Sequence, residues 1–328
     1  MYKAKISGIG KYLPEKVLTN FDLEKMVDTT NEWIVTRTGI KERHIASEGE
    51  TTSFFGAKAA EEAIKRAGIS KDDIEMIIVA TFTPDMLMPS TACIIQDILK
   101  IPDTGAIDIE AACSGFLYGL SMANAYVVSG TYRNVLVIGS ETISRFTDWE
   151  DRSTCVLFGD GAGAVVVSRA EENEPSELIG FKLFGDGSYK DMLCIEAGGA
   201  LRPSSVQTVA NRQHYLKMNG NSTFKVAVRT MADMLESILE EHKVDIKDVK
   251  YLIPHQANIR IINAVAERLN LPTEKVIVNI DKYANTSAAT IPIAMEEAIT
   301  DGRIKRGDLI AMVAFGGGFT SAAGLMVY

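Results

Sequence analysis

At 328 residues, the chain has room for about two domains of ~150 residues, or for one large layered unit. A hydrophobic share of 46% and a charged share of 23% fit a folded globular protein and exclude long disorder, collagen and coiled coil. The formal net charge is −9, from 34 basic and 43 acidic residues. It argues against nonspecific nucleic-acid binding, which runs on surplus Lys and Arg, and an acidic partner would need a local basic patch.

Apolar runs such as Met76–Ala80 and Val135–Ile138 are strand-sized, well short of the ~20 residues that span a bilayer. No membrane segment is expected. Lys3 and Lys5 are not followed by an apolar stretch, so no secretory leader is expected either. The four cysteines (93, 113, 155, 194) show neither a C-x-x-C pair nor a framework spacing. That usage predicts a reduced, cytoplasmic protein.

In chain order, strand and helix patterns alternate. Thr52–Ala67 carries apolar residues at helical spacing and stops at Gly68. Ile74–Ala80 reads as a buried strand, Ser90–Leu99 as a helix and Ala106–Ile109 as a strand. Ser114–Ser129 reads as a helix ended by Gly130, and Asn134–Gly139 as a strand. The order then recurs. Phe224–His242 is a helix, Val249–Ile253 a strand, Ile259–Leu269 a helix, Val276–Ile280 a strand, Ala288–Thr300 a helix and Asp308–Ala314 a strand. Short segments also match: Ile69-Ser-Lys-Asp-Asp-Ile74 answers Val244-Asp-Ile-Lys-Asp-Val249, and Phe158-Gly-Asp-Gly161 answers Phe315-Gly-Gly-Gly318. A repeat of this length implies two duplicated α/β halves. The polar stretch Ala170–Ser176 is the candidate boundary, giving halves of 1–172 and 173–328. Packed face to face, they predict a five-layer α-β-α-β-α sandwich.

Ligands of α/β sheets gather at the carboxyl ends of strands, and three such junctions carry reactive groups. Cys113, in Ala111-Ala-Cys-Ser-Gly115, opens a helix, where the macrodipole and free N–H groups would favour thiolate. His255, in Pro254-His-Gln-Ala-Asn258, is the one histidine of four at a strand-to-helix junction. Asn285, in Tyr283-Ala-Asn-Thr-Ser287, follows the expected strand Val276–Ile280. Each also has an ordinary structural reading: a buried thiol, a capping imidazole, a helix N-cap. Matched junctions in two packed halves would bring all three to one cleft. The glycines of Phe315-Gly-Gly-Gly318 would let backbone N–H groups point into it as an oxyanion hole. Gly159-Asp-Gly-Ala-Gly163 precedes a strand-like run, not a helix, which disfavours dinucleotide binding. No metal motif is present, and no cofactor is expected.

In this setting Cys113, His255 and Asn285 resemble the β-ketoacyl-acyl carrier protein synthase III family of the thiolase-like superfamily. Further matches are Gly10-Lys-Tyr-Leu-Pro14, Asn31-Glu-Trp-Ile-Val-Thr-Arg-Thr-Gly39, Phe158-Gly-Asp-Gly-Ala-Gly163 and Phe315-Gly-Gly-Gly-Phe319. The resemblance spans essentially the whole chain. It implies a condensing enzyme that initiates fatty-acid biosynthesis. Cys113 would take an acyl group from acyl-CoA. His255 and Asn285 would donate to the thioester carbonyl of malonyl-acyl carrier protein during decarboxylation, and the carbanion would attack acyl-Cys113. Cys113 and Gly317 would form the oxyanion hole. The resemblance further implies that Trp33 and Arg152 sandwich the CoA adenine, that Arg37 meets its phosphates, and that Thr29, Gly220 and Asn258 complete the CoA site. Phe315 and Met88 would shape the acyl pocket, with Met88 reaching into the partner of a homodimer. Met88 stands where acetyl-selective members carry an aromatic. Because Met is adaptable, primers longer or more branched than acetyl are expected. Arg260, Lys225 and Arg229 are the expected carrier-protein patch; Lys225 and Arg229, at i and i+4, would share a helix face. The segment 197–217 is longer than in the shortest members. The rivals are a starter-unit synthase of secondary metabolism, a Cys-His-Asn hydrolase and a non-catalytic acyl-CoA-binding module.

Overall fold

The computed structural model describes residues 2–328, without side-chain detail at positions 221 and 222. The strands of the two large sheets are β1 (Ala4–Tyr12), β2 (Met76–Ala80), β3 (Gly105–Ile109), β4 (Asn134–Glu141), β5 (Gly161–Arg169), β6 (Glu177–Gly185), β7 (Tyr251–Pro254), β8 (Leu309–Phe315) and β9 (Thr320–Val327). The principal helices are α1 (Asn31–Thr38), α2 (Thr52–Ala67), α3 (Thr91–Leu99), α4 (Gly115–Ser129), α5 (Gly220–Glu241), α6 (Ile259–Arg268) and α7 (Thr290–Thr300).

The first sheet runs β1-β5-β4-β2-β3 and the second β7-β8-β9-β6. Read from its β6 edge, the second sheet repeats the first one strand short. Strand β2 pairs in parallel with β3 on one side and β4 on the other. Its five residues, Met-Ile-Ile-Val-Ala, are all buried, the continuous apolar run that a strand covered on both faces requires. Helices α2 and α3 pack on the outer face of the first sheet, and α5 and α6 on the outer face of the second. Between the sheets lie α4 and α7, in a core that joins Val137 and Val165 of the first half to Ile253, Met312 and Ala322 of the second. The layers are therefore α-β-α-β-α, as the duplication predicts.

The expected strand Val276–Ile280 does not form. Val276 makes a single bridge to Leu252, and the chain then turns into a short helix at Ile280–Tyr283. The Gln256 side chain takes up hydrogen bonds that a fifth strand would have made. Its Nε2 donates to Ile277 O at 3.1 Å, and its Oε1 accepts from Asn279 N at 3.0 Å. Buried backbone groups must be paired, and one amide side chain replaces part of a ladder here. This frees the segment after Asn279 to bend toward the first half.

Candidate active site

The two central helices are entered in the same way. At the end of β3, Ala112 adopts φ 44° and a 3₁₀ turn Ala112–Ser114 leads into α4. In the second half Ser287 adopts φ 50° and a 3₁₀ turn Ser287–Ala289 leads into α7. Such left-handed backbone at non-glycine residues persists only where the surroundings enforce it. It turns the Cys113 thiol away from the helix and into a cleft of about 900 Å³ that His255 and Asn285 also line.

Cys113 is nearly buried, at 8% exposure. Burial pushes its thiol up to about 12; a polar contact from Ser287 opposes this, while the carboxyl groups of Glu141 and Glu110 add to it. The expectation of a thiol acidified by its helix N-terminus is corrected: burial dominates and raises the thiol.

His255 follows β7 and is fully buried, and burial lowers its pKa to about 3. It is therefore a neutral imidazole at every ordinary pH. Its Nδ1 lies 2.7 Å from Thr290 Oγ1, which lies 2.9 Å from the Ser287 carbonyl. With the Thr290 proton on Nδ1, Nε2 is a donor; with it on the carbonyl, Nε2 is an acceptor.

Asn285 is clamped by its backbone, its N–H donating to Leu157 O at 3.0 Å and its carbonyl accepting from Gly159 N at 3.1 Å. Its Oδ1 accepts from Ser287 N at 2.8 Å, which leaves the amide nitrogen to donate into the cleft. The Phe158–Gly161 turn thus serves to hold Asn285. It is itself held by buried Asp160, whose carboxylate accepts from the backbone of Ala46 and Ser144 at 2.7 and 2.8 Å.

The glycine turn after β8 presses on the nucleophile. A side chain at Gly316 would put its Cβ 2.6 Å from Cys113 N, so only glycine fits. Gly316 N donates to Thr320 O at 2.8 Å. Neither Cys113 N nor Gly317 N has a hydrogen bond to another residue among the described residues. Both are available to hold an oxyanion.

Trp33, Arg37, Gly220, Lys225, Asn258 and Arg260 line the outer part of the cleft, and Phe315 lines its wall. Asn258 also caps α6, its Oδ1 accepting from Arg260 N at 2.8 Å. Four expected site residues lie outside the cleft lining. Arg152 is at the mouth, but its guanidinium lies 5.0 Å from the Trp33 ring centroid, with Arg37 at 4.8 Å. Trp33 and Arg152 therefore leave no slot between them for an adenine, and Arg152 would have to swing aside. Thr29 sits close by in sequence and half-buried, with Oγ1 buried and unpartnered. Met88 is 84% exposed beside Met86 and Leu87 and shapes no pocket of its own chain. Arg229 lines a second cavity of about 520 Å³ on the far side of Phe315, because α5 turns Lys225 and Arg229 to different openings. The segment 197–217 belongs to a flap: the ribbon Leu193–Ile195 with Leu216–Met218 walls the cleft. It is fastened by Arg212 and Lys217 to Asp148, whose carboxyl Arg212 holds far below the usual range.

Sequence reasoning missed three polar residues around the catalytic groups. Ser287 and Thr290 lie in or beside the Asn285 motif, whose ordinary reading is a helix N-cap. Glu141 closes β4 and is completely buried. Its place at the carboxyl end of a strand was the available signal. Among the described residues, no group of three or more metal-ligating side chains comes together.

The duplicated five-layer fold and this cleft define a condensing enzyme of the thiolase-like type. Residues 107–187 match the family model described as 3-oxoacyl-[acyl-carrier-protein (ACP)] synthase III, and residues 239–328 match its C-terminal counterpart. A β-ketoacyl-[acyl-carrier-protein] synthase III of Aquifex aeolicus is 52% identical over 324 residues, covering 99% of each chain, and that of Natranaerobius thermophilus is 50% identical over 321 residues, covering 98% of each. The crystal structure of the Aquifex aeolicus 3-oxoacyl-[acyl-carrier-protein] synthase III superposes with a TM-score of 0.91, covering 99% of this chain and 100% of that one. The chain belongs to the 3-oxoacyl-[acyl-carrier-protein] synthase III family.

Proposed function

We propose that this enzyme initiates fatty-acid biosynthesis by condensing an acyl-CoA primer with malonyl-acyl carrier protein. The observation that carries the reading is the convergence of Cys113, His255 and Asn285 on one cleft. In the first half-reaction the Cys113 sulfur attacks the thioester carbonyl, the N–H groups of Cys113 and Gly317 hold the oxyanion, and CoA leaves. In the second, Asn285 Nδ2 and His255 Nε2–H donate to the malonyl thioester carbonyl as carbon dioxide departs. Neutral donors suit this step because enolate charge develops only there. The resulting carbanion attacks acyl-Cys113 and gives the β-ketoacyl carrier product.

Trp33, Arg37, Gly220 and Asn258, with Arg152 after a rotamer change, would bind CoA; Lys225 and Arg260 at the same mouth would meet the carrier protein. No further cofactor is required. The exposed apolar run Met86–Met88 would be covered in a homodimer, where Met88 would meet the partner's acyl pocket. The four cysteines are free, as a reducing cytoplasm would leave them. No helix among the described residues is long and apolar enough to cross a membrane.

Intact-mass analysis after incubation with a panel of acyl-CoAs tests the reading. An acyl adduct on Cys113, discharged by malonyl-acyl carrier protein with release of carbon dioxide, is expected. No adduct with any acyl-CoA overturns the assignment, and adducts discharged by water alone would make the enzyme a hydrolase.

A further inference from the structure

Arg43 is the largest fully buried side chain among the described residues, at 0% exposure. Its guanidinium donates to neutral oxygens: Nη1 to Leu18 O at 3.2 Å and to Asn20 Oδ1 at 2.9 Å, and Nη2 to Val156 O at 3.0 Å. Its Nε is buried without a partner, and no carboxylate pairs with it among the described residues. Burial lowers its pKa only to about 10, so the charge persists at neutral pH. A buried charge with no ion-pair partner is costly, and the elements that this one joins give the reason for keeping it.

Trp33 and Arg37 ride on α1, which has only eight residues; a helix that short does not hold itself in water. Asn20, also fully buried, spans it. Its Nδ2 donates to Asn31 Oδ1 at the first residue of α1, at 3.0 Å, and to Ile40 O just past its end, at 2.7 Å. Arg152 opens a four-residue helix, Arg152–Cys155, that Val156 closes. One nitrogen of Arg43 thus holds the amide oxygen of Asn20 and the other holds the carbonyl at the end of the Arg152 helix. A planar fork with several donors suits such a bridge, where a lysine would offer a single point charge. At the surface, Arg152 Nη1 also donates to Asp28 O at 2.8 Å. That contact breaks when Arg152 swings aside for an adenine, whereas the buried bridge remains.

We propose that Arg43 is a positioning residue for CoA recognition: through Asn20 and Val156 it fixes the helix bearing Trp33 and Arg37 against the helix bearing Arg152. Being fully buried, it meets no substrate atom itself. It sets how well the mouth fits the nucleotide end of CoA and leaves the chemistry at Cys113 to other groups. The inference rests on the CoA site proposed above.

The test compares two donors in single-turnover acylation of Cys113, read by quenched intact mass. Acetyl-CoA carries the nucleotide; acetyl-pantetheine carries the same thioester without it. The wild type is expected to prefer acetyl-CoA. In Arg43→Gln the half-saturating concentration of acetyl-CoA should rise about tenfold, with the maximal rate within about twofold and acylation by acetyl-pantetheine unchanged. Arg43→Lys should lose nearly as much, because a point charge does not replace the fork. Asn31→Ala, which removes one contact at a half-buried position, should give a shift of about threefold in the same direction. A residue that merely supports the fold would damage both donors alike, so equal losses overturn the proposal, as does an unchanged response to acetyl-CoA. A parallel loss of malonyl decarboxylation also overturns it, by placing the effect at Asn285, whose N–H donates to Leu157 O, next to Val156. If Arg43→Gln fails to fold, Asn31→Ala decides alone. A wild type that takes both donors equally well would instead sink the CoA-site reading.

Discussion

The two helix-entry junctions of the central layer share a backbone and differ in side chains. Ala112-Cys113-Ser114 and Ser287-Ala288-Ala289 both begin with a left-handed residue, make one 3₁₀ turn and feed a buried helix. The first carries a thiol where the second carries Ala288. The second carries a hydroxyl where the first carries Ala112, and it is flanked by the donor Asn285, whose Oδ1 accepts from Ser287 N, and by Thr290, which meets His255. Duplication supplied the geometry twice, and divergence gave one copy the nucleophile and the other the polar apparatus around it. The lesson is that the acylated thiol and the donors of the decarboxylation step come from different halves of the chain, although the oxyanion hole draws on both, so the two half-reactions make different demands. Substitutions should therefore separate them.

The largest effect is expected for Cys113→Ala, which should abolish the acyl adduct while leaving measurable malonyl decarboxylation. If both reactions disappear together, the division between junctions fails. Next, His255→Ala and Asn285→Ala should still accept an acyl group on Cys113 but lose about 10²–10³ in condensation, the usual cost of one aimed donor. Intact mass of His255→Ala after acyl-CoA treatment reads this directly, and a missing adduct would make His255 an obligatory base. Gly316→Ala should cost about 10² in acylation, because its Cβ would displace Cys113 N and misplacement of this order carries that penalty. An active Gly316→Ala would show that the turn yields without disturbing the oxyanion site.

A smaller effect concerns pH and stability. The His255 pKa lies near 3 in the folded protein and near ~6.5 when unfolded, so the unfolded chain binds more protons between those values. Stability therefore falls as pH drops from ~6.5 toward 3. Glu141 has the opposite sign: its folded value near 8 exceeds the ordinary 4.5, and its contribution is lost as pH rises through that window. Thermal melts from pH 7 to 4.5 should show a shallower decline for His255→Asn than for the wild type. Parallel declines would mean that His255 is not held neutral by burial. The smallest effect is expected for Arg260→Glu, a several-fold weakening of malonyl-carrier use with priming nearly intact, mimicked by added salt. Equal damage to both half-reactions would show that Arg260 serves CoA instead.

Much of this was legible in the chain itself. Periodicity and helix stops gave α2, α3 and α4, and the internal repeat gave two sheets of matching order. The segments around Cys113, His255 and Asn285 read as junctions because strand-like runs precede all three. Those signals are local, and local pattern suffices for elements that bury one face against their own half. What failed depended on partners distant in sequence. Val276–Ile280 has a strand composition, but Gln256 fills its ladder. Lys225 and Arg229 share a helical spacing, yet the wall carrying Phe315 divides their surroundings.

The sequence alone determined the duplicated α/β architecture and which residue types stand at the strand ends, because both are set by apolar period and glycine placement. Only the tertiary structure decided the protonation chemistry. A helix N-terminus predicts an acidic thiol, but burial raises the Cys113 thiol, and Glu141, 28 residues along the chain at the end of a strand, adds to the rise. Whether Ser287 caps a helix or lines the cleft depends on the packing of the second half against the first. Desolvation and charge proximity act through space, and sequence order does not encode the distances that govern them.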